Sequence, residues 1–460
     1  MSNNRELVQG LGVYGAASVA AGTMIGTAIF VVPGIMLEQA GTPLRVLGVW
    51  AVAGALSIFG ALGYAELGAA LPQAGGEYVY LHRAFGPGTG FLYGWTQFIV
   101  AKTASIAAIA TGFLLYLAYF FPALSHVLWS RTVLFPGQAF TLRVTGLQAG
   151  SAGIIILLSA LNVLGVRRSG AIQTAFTGAK LVVLAVLIIA GFAFGHGSWA
   201  NIRASLSPHM RGSGSVAALG IAMISALWAY DGWNNLSMVA GEVKNQQRNI
   251  PLALIGASIL VAVVYILVNL AYFHVMNPSQ VASTRTVAAE TARHLFGAAG
   301  GAFVAVGVLI STFATLNGSI LAGSRIPYAQ ARDRLFPRSL ALVNPRFHTP
   351  AAAIAAQAVI AAIFALSGSY ETLYTKAIYS EWVFYALVTA SIFVLRRKEP
   401  QLVRPYRTWG YPIVPATFIG LAGFLLANAF VFQRADALWS LALIGSGIPA
   451  YCLWKAFARP

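Results

Sequence analysis

The residues of this chain that could do chemistry lie in the middle of long apolar stretches, where polar groups are costly. Gly22–Phe30 reads GTMIGTAIF. Glycines at 22 and 26, with Thr23 and Thr27 beside them, favour a break in a membrane helix, although small residues also serve close helix packing. Irregular backbone at that depth survives only where it lines a cavity. Unwinding frees N–H groups at one half-helix end and carbonyls at the other, and a zwitterion needs both. A matching break in a second half of the chain would decide the matter. The candidate is Ala229–Gly232, within SALWAYDGWNNLSMVAGEVKNQQRNIP. Asp231-Gly232 is a turn dipeptide where helix is otherwise expected. An Asp there costs at least ~2.5–3.5 kcal/mol unless it faces protein or water. Asp231 therefore either lines a site or caps the second half-helix, and the two are compatible. Trp228 either shutters the cavity or is an ordinary packed aromatic.

Other charges also fall inside apolar stretches. Lys180, in QTAFTGAKLVVLAVL, sits too deep to snorkel. It either stands where a sodium ion would bind, tying its helix to the first break, or is a structural amine on backbone carbonyls. Lys102 and Glu381 belong either to coupling machinery or to a structural pair. Glu66 and Glu77, flanking LPQAGGEY, read as solvated or capping interface charges. Arg396, Arg397 and Lys398 read as a topology signal, and Arg325–His348 as a solvated basic loop. The seven histidines, at 82, 126, 196, 209, 274, 294 and 348, show no metal-ligand spacing. No nucleophile–base pair or phosphate-cradling loop is evident, so neither an enzyme nor a nucleotide-driven pump is expected, and no cofactor is called for.

The elements that must position these residues are membrane spans. The 460 residues are 58% hydrophobic and 9% charged, against about 25% charged in soluble domains. Spans of roughly 20 apolar residues are expected near 11–38, 44–71, 89–120, 147–165, 171–194, 215–241, 250–275, 298–324, 350–368, 373–395, 411–432 and 437–456. With both termini cytoplasmic, eighteen of the 29 Lys and Arg fall on the inner side and nine on the outer, as the positive-inside rule predicts. The net charge of +17 is thus topological and does not imply nucleic acid. No signal peptide is expected, because the first apolar segment is long, broken by Pro33 and followed by further spans. If span 6 repeats span 1, five spans per unit makes the second unit inverted. That divides the chain into 1–195, 196–398 and a two-span remainder, 399–460. Cys452, the single cysteine, lies in the last span and cannot form a disulfide framework or thiolate site within one chain.

GTMIGTAIFVVPG, YAELGAALPQAGGEYVYLHRAFG and LWAYDGWNNLSMVAGEVKNQQRNIP resemble the amino acid–polyamine–organocation superfamily, and within it the L-type amino acid transporter branch with its bacterial members. The resemblance covers residues 10 to 350 and the span count beyond. It implies an all-α polytopic protein with the leucine-transporter fold, helices 1 and 6 being unwound around an α-amino acid. It also implies that N–H groups around Gly26, Thr27 and Ala28 hold the substrate carboxylate. Carbonyls near Thr23 and Met24, and those of Trp228, Ala229 and Asp231, would hold the ammonium. Trp228 matches the gating aromatic, and Lys180 the lysine that replaces a sodium ion. Two positions depart from the common pattern. Ala28 stands where a glycine is usual, leaving the carboxylate less room. Asp231 stands where many relatives carry a small neutral residue and some that accept cationic amino acids carry Asp. Either this anion favours a substrate with an extra positive charge, or it is already neutralised.

The resemblance implies a sodium-independent secondary transporter of α-amino acids in the inner (plasma) membrane, exchanging one for another, with proton symport as the alternative. A channel or sensor is the competing class, but polarity concentrated at two midspan breaks suits an occluded site. Animal relatives pair through a disulfide with a single-span glycoprotein. Cys452 is badly placed for that, so no obligatory disulfide-linked subunit is expected.

Overall fold

Apolar runs ended by glycine or proline and started by small polar residues account for most of the architecture. The computed structural model describes residues 9–73, 75–135, 138–164, 169–194, 197–206, 216–344, 346–347 and 349–457. Arg5, Arg167, Arg168, Arg211, Arg459, His196, His209 and His348, used above, lie outside them. The first apolar run is two helices, α1 (Val13–Met24) and α2 (Ala28–Ala40). Gly41, at φ 76°, ends α2 in the left-handed region that glycine adopts without penalty. Thr42 then accepts the Arg45 N–H and, with Pro43 at the first helical position, opens α3 (Pro43–Ala70).

A short α4 (Glu77–Phe85) precedes α5 (Pro87–Thr96), which continues through a π-turn at Gln97–Ala101 into α6 (Lys102–Leu117). Next come strands β1 (Val127–Phe135) and β2 (Gln138–Thr145), an antiparallel hairpin pairing Trp129 with Val144 and Arg131 with Leu142. The chain is mostly helical, as expected, and adds one two-stranded hairpin in the spacer that follows α6. A capping box at Thr145/Gln148 starts α7 (Gly146–Val163), followed by α8 (Ser169–Ala193) and the short α9 (Ala200–Arg203).

The second run of interest is again divided, into α10 (Val216–Tyr230) and α11 (Asn235–Met238). Then follow α12 (Gln246–Val275), α13 (Pro278–Ala282), α14 (Val287–Gly323), α15 (Arg325–Arg332), α16 (Ala351–Ser367) and α17 (Tyr370–Lys398). The chain closes with α18 (Ile413–Phe432), α19 (Arg434–Gly445) and α20 (Gly447–Phe457). Among the described residues, ten helical stretches are long and apolar enough to cross a bilayer, and Ala217–Tyr230 and Ala351–Ser367 are shorter apolar helices. This is a multi-pass membrane protein.

The divided helices lie at the centre. α1 packs on α8 and α12, α2 on α10, and α14 joins α6 and α8. The apolar window across α1 and α2 is 94% buried, against 22% for α18, so the first break is shielded while α18 is peripheral.

One charge group differs from its expected role. Glu66, read as solvated or capping, is 2% exposed. The Arg396 guanidinium donates to both its oxygens, at 2.9 and 2.7 Å, and the Thr408 N–H adds a bond of 2.6 Å. Arg396 therefore ties α17 to α3 besides contributing positive charge. Nearby, Arg83 forks onto Glu399 and holds that exposed carboxyl below its usual range. Arg396→Ala should destabilise the detergent-solubilised protein by about 1–3 kcal/mol by removing the guanidinium fork from the buried Glu66 carboxylate, while Arg404 at 3.5 Å and the Thr408 N–H keep this below the cost of an unpaired buried charge. Glu66→Gln should cost less. Thermal unfolding of both variants tests this; equal midpoints for Arg396→Ala and wild type would refute it.

Candidate functional site

Glycine makes it possible for the two breaks to touch. α1 ends at Met24, and the Gly26 N–H turns back onto the Met24 carbonyl (2.8 Å) before α2 begins. In the other break, Gly232 adopts φ 115° and comes so close that a Cβ there would lie 2.8 Å from the Thr23 carbonyl carbon. The Thr23 hydroxyl lies 2.7 Å from both the Gly232 and Val19 carbonyls. It thus bonds within α1 while facing the second break. Asp231 does not cap α11, whose N-cap is Asn234 without a side-chain bond. Its carboxylate instead accepts the Tyr385 hydroxyl of α17 at 2.6 Å.

A small cavity opens where the breaks meet. Thr23, Met24, Gly26, Thr27, Ala28, Trp228 and Asp231 line it, joined by Lys102, Asn235 and Thr315 among others. Of the expected substrate residues, Ala229 alone is absent from the lining. Its carbonyl lies 3.1 Å from the Tyr265 hydroxyl, which is also 2.8 Å from the Met24 carbonyl. One phenol on α12 thus spans both breaks. Trp228 donates its indole N–H to the Tyr370 hydroxyl (3.0 Å) and stacks on Tyr374, with 13° between the rings. Tyr370 is also 3.3 Å from the Thr27 hydroxyl. An aromatic group from α17 therefore joins Trp228 above the cavity.

Lys180 is buried, and its ammonium donates to the Gly22 carbonyl and the Thr315 hydroxyl, both at 2.6 Å. It ties α8 and α14 to the end of α1. Lys102, also buried, donates to Asn235 at 2.8 Å. Glu77, read as an interface charge, is fully buried and accepts from Tyr64 (2.8 Å), Tyr93 and Asn234. The approach of Gly76, where a Cβ would meet the Ser237 backbone at 2.6 Å, brings Glu77 against the segment after the second break. Sequence reasoning missed Tyr265, Tyr370, Tyr385 and Thr315. A tyrosine in an apolar helix, such as Tyr265 in ILVAVVYILVN, signals little until its partner is known. Among the described residues no cluster of His, Cys, Asp and Glu suits a metal ion.

The model of the amino acid permease family matches residues 11–448. The chain is 32% identical over 452 residues to the b(0,+)-type amino acid transporter 1 of Mus musculus, covering 98% of this chain and 88% of that protein. It is 30% identical over 453 residues to the serine/threonine exchanger SteT of Bacillus subtilis (strain 168), covering 98% of both. It is also 30% identical over 439 residues to the human cystine/glutamate transporter, covering 95% of this chain and 83% of that one. These relatives are transporters and not enzymes. Two divided helices meeting over a polar cavity in a multi-pass protein, with a family match across nearly its whole length, place this chain in the amino acid permease family.

Proposed function

We propose that this protein is a sodium-independent exchanger of α-amino acids, working by alternating access in the plasma membrane. The observation that carries the reading is the meeting of the two breaks at Thr23 and Gly232 beside a polar cavity. Half-helix ends supply N–H groups for a carboxylate and carbonyls for an ammonium. We assign the carboxylate to N–H groups around Gly26, Thr27 and Ala28. The ammonium goes to carbonyls of Thr23, Met24, Trp228, Ala229 and Asp231, with Trp228 as gate. In this reading the Gly26 N–H exchanges its turn bond to Met24 for the substrate. Lys180 supports sodium independence: its ammonium already occupies a position faced by a carbonyl and a hydroxyl, the ligands a monovalent cation would use. The proposal includes twelve spans, counting the two shorter apolar helices, with both termini cytoplasmic. It also includes an inverted repeat of 1–195 and 196–398, followed by 399–460, and a subunit that needs no disulfide-linked partner.

Radiolabelled uptake into proteoliposomes without sodium tests the reading. Uptake should require internal amino acid and ignore an imposed pH gradient. Uptake into empty vesicles driven by external acid would establish proton symport instead. Absence of amino acid flux under every condition would leave the sensor or channel class.

A further inference from the structure

Asp231 and Glu381 approach one phenol from two helices. The Tyr385 hydroxyl lies 2.6 Å from an Asp231 oxygen and 3.2 Å from a Glu381 oxygen. Glu381 is fully buried, and its second oxygen has no hydrogen-bond partner. A phenol has one proton to donate, so it serves one carboxylate at a time. Two adjacent buried carboxylates with a single donor cannot both remain ionised, because like charges at such separation disfavour a second ionisation.

The other groups facing this pair do not supply the missing positive charge. Glu77 on α4 is served by Tyr64 of α3, Tyr93 of α5 and Asn234, an acceptor's environment suited to a carboxylate. Lys102 on α6 is the facing cation, and it donates its hydrogen bond to Asn235, not to either member of the pair. One ammonium therefore stands against three carboxyl groups. Asp231 lines the cavity, whereas Glu381 is buried outside its lining.

We propose that Asp231 and Glu381 hold one proton between them, and that a substrate whose side chain carries an ammonium or guanidinium displaces it. The proposal rests on the exchanger reading and adds the substrate class and a charge-balancing proton. When a cationic amino acid enters the cavity, one O–H bond of the pair breaks and its proton passes to water on the side from which the substrate came. When that substrate leaves on the other side, the pair takes a proton from there. A neutral amino acid then travels back with the pair protonated. One cycle moves one cationic amino acid inward, and one neutral amino acid and one proton outward, so no net charge crosses the membrane.

The experiment uses the full chain in sodium-free proteoliposomes loaded with alanine and an internal pH dye. The membrane potential is clamped by potassium and valinomycin, and either arginine or alanine is added outside. Arginine entry should make the interior alkaline by about one proton per arginine, and alanine entry should not. The steady-state distribution of arginine should be the same at zero and inside-negative potential. Electrogenic exchange would instead change it about tenfold for each 59 mV. That change, without alkalinisation, would overturn the proposal while leaving exchange intact. So would alanine exchange with no arginine entry. Absence of both fluxes would remove the exchanger reading and the proposal with it. Glu381→Gln deletes the shared proton and should make its residual arginine exchange potential-dependent, with no proton moved. Independently of transport, arginine added to weakly buffered solubilised wild-type protein should release about one proton and alanine none; equal release with both would also overturn the proposal.

Discussion

Lys180→Ala is expected to lower amino acid exchange by about a hundredfold. The ammonium makes two short charge-assisted bonds, to the Gly22 carbonyl and the Thr315 hydroxyl. Such bonds contribute ~1.5–3 kcal/mol each, and about 1.4 kcal/mol is a factor of ten. Gly22 lies in the last turn of α1, just before the break, so losing the bond to its carbonyl unfastens the segment that forms one side of the cavity. Thr315 limits the damage: its hydroxyl also lies 3.2 Å from the Gly22 carbonyl and 3.3 Å from that of Ile25. Initial rates of labelled exchange in proteoliposomes check this, with thermal unfolding measured alongside to separate loss of function from loss of fold. A rate within threefold of wild type would show that the amine is only structural packing. If added sodium restored transport to the variant, the cation-substitute role would gain direct support.

Gly232→Ala should be more damaging to the fold. The backbone there has φ 115°, which side chains rarely adopt, at a cost of ~1–3 kcal/mol. The added Cβ would also meet three backbone atoms of Thr23 and Met24 at 2.8 to 3.0 Å. Backbone cannot swing aside as a flexible side chain can, so the two breaks must separate. Exchange should fall below detection, and the thermal midpoint should drop by several degrees. Gly26→Ala is the informative contrast, since the nearest atom to a Cβ there is the Thr315 methyl at 3.4 Å, an ordinary contact. That variant should keep the wild-type midpoint. Equal midpoints for Gly232→Ala and wild type would show that the breaks do not rely on this close approach.

Much of the fold, and most of the residues that line the cavity, were legible in the sequence itself. Membrane depth makes the sequence unusually explicit, because a charge or a turn dipeptide within an apolar run is too costly to occur without a partner. That reasoning marked the two runs that the structure divides into separate helices, and it picked out Asp231, Lys180, Lys102 and Glu381, all of which are buried. It failed where cost is low. Glu66 and Glu77 look alike at the end of an apolar run, yet both are buried, because Arg396 arrives from α17 and Tyr93 from α5. The strands Val127–Phe135 and Gln138–Thr145 lie outside the apolar runs, where the cost argument assigns no element.

The sequence by itself determined that the chain crosses a membrane many times, that helices are interrupted within Gly22–Phe30 and from Asp231 onward, and that several charges lie at depth. Those properties follow from the local cost of polar groups and of backbone conformation. Only the tertiary structure decided who meets whom: Gly232 against Thr23, Tyr265 across both breaks, Lys180 on Gly22, and Tyr385 between Asp231 and Glu381. Such pairings join residues up to 241 positions apart. They are set by how helices pack, which no local pattern of residues encodes.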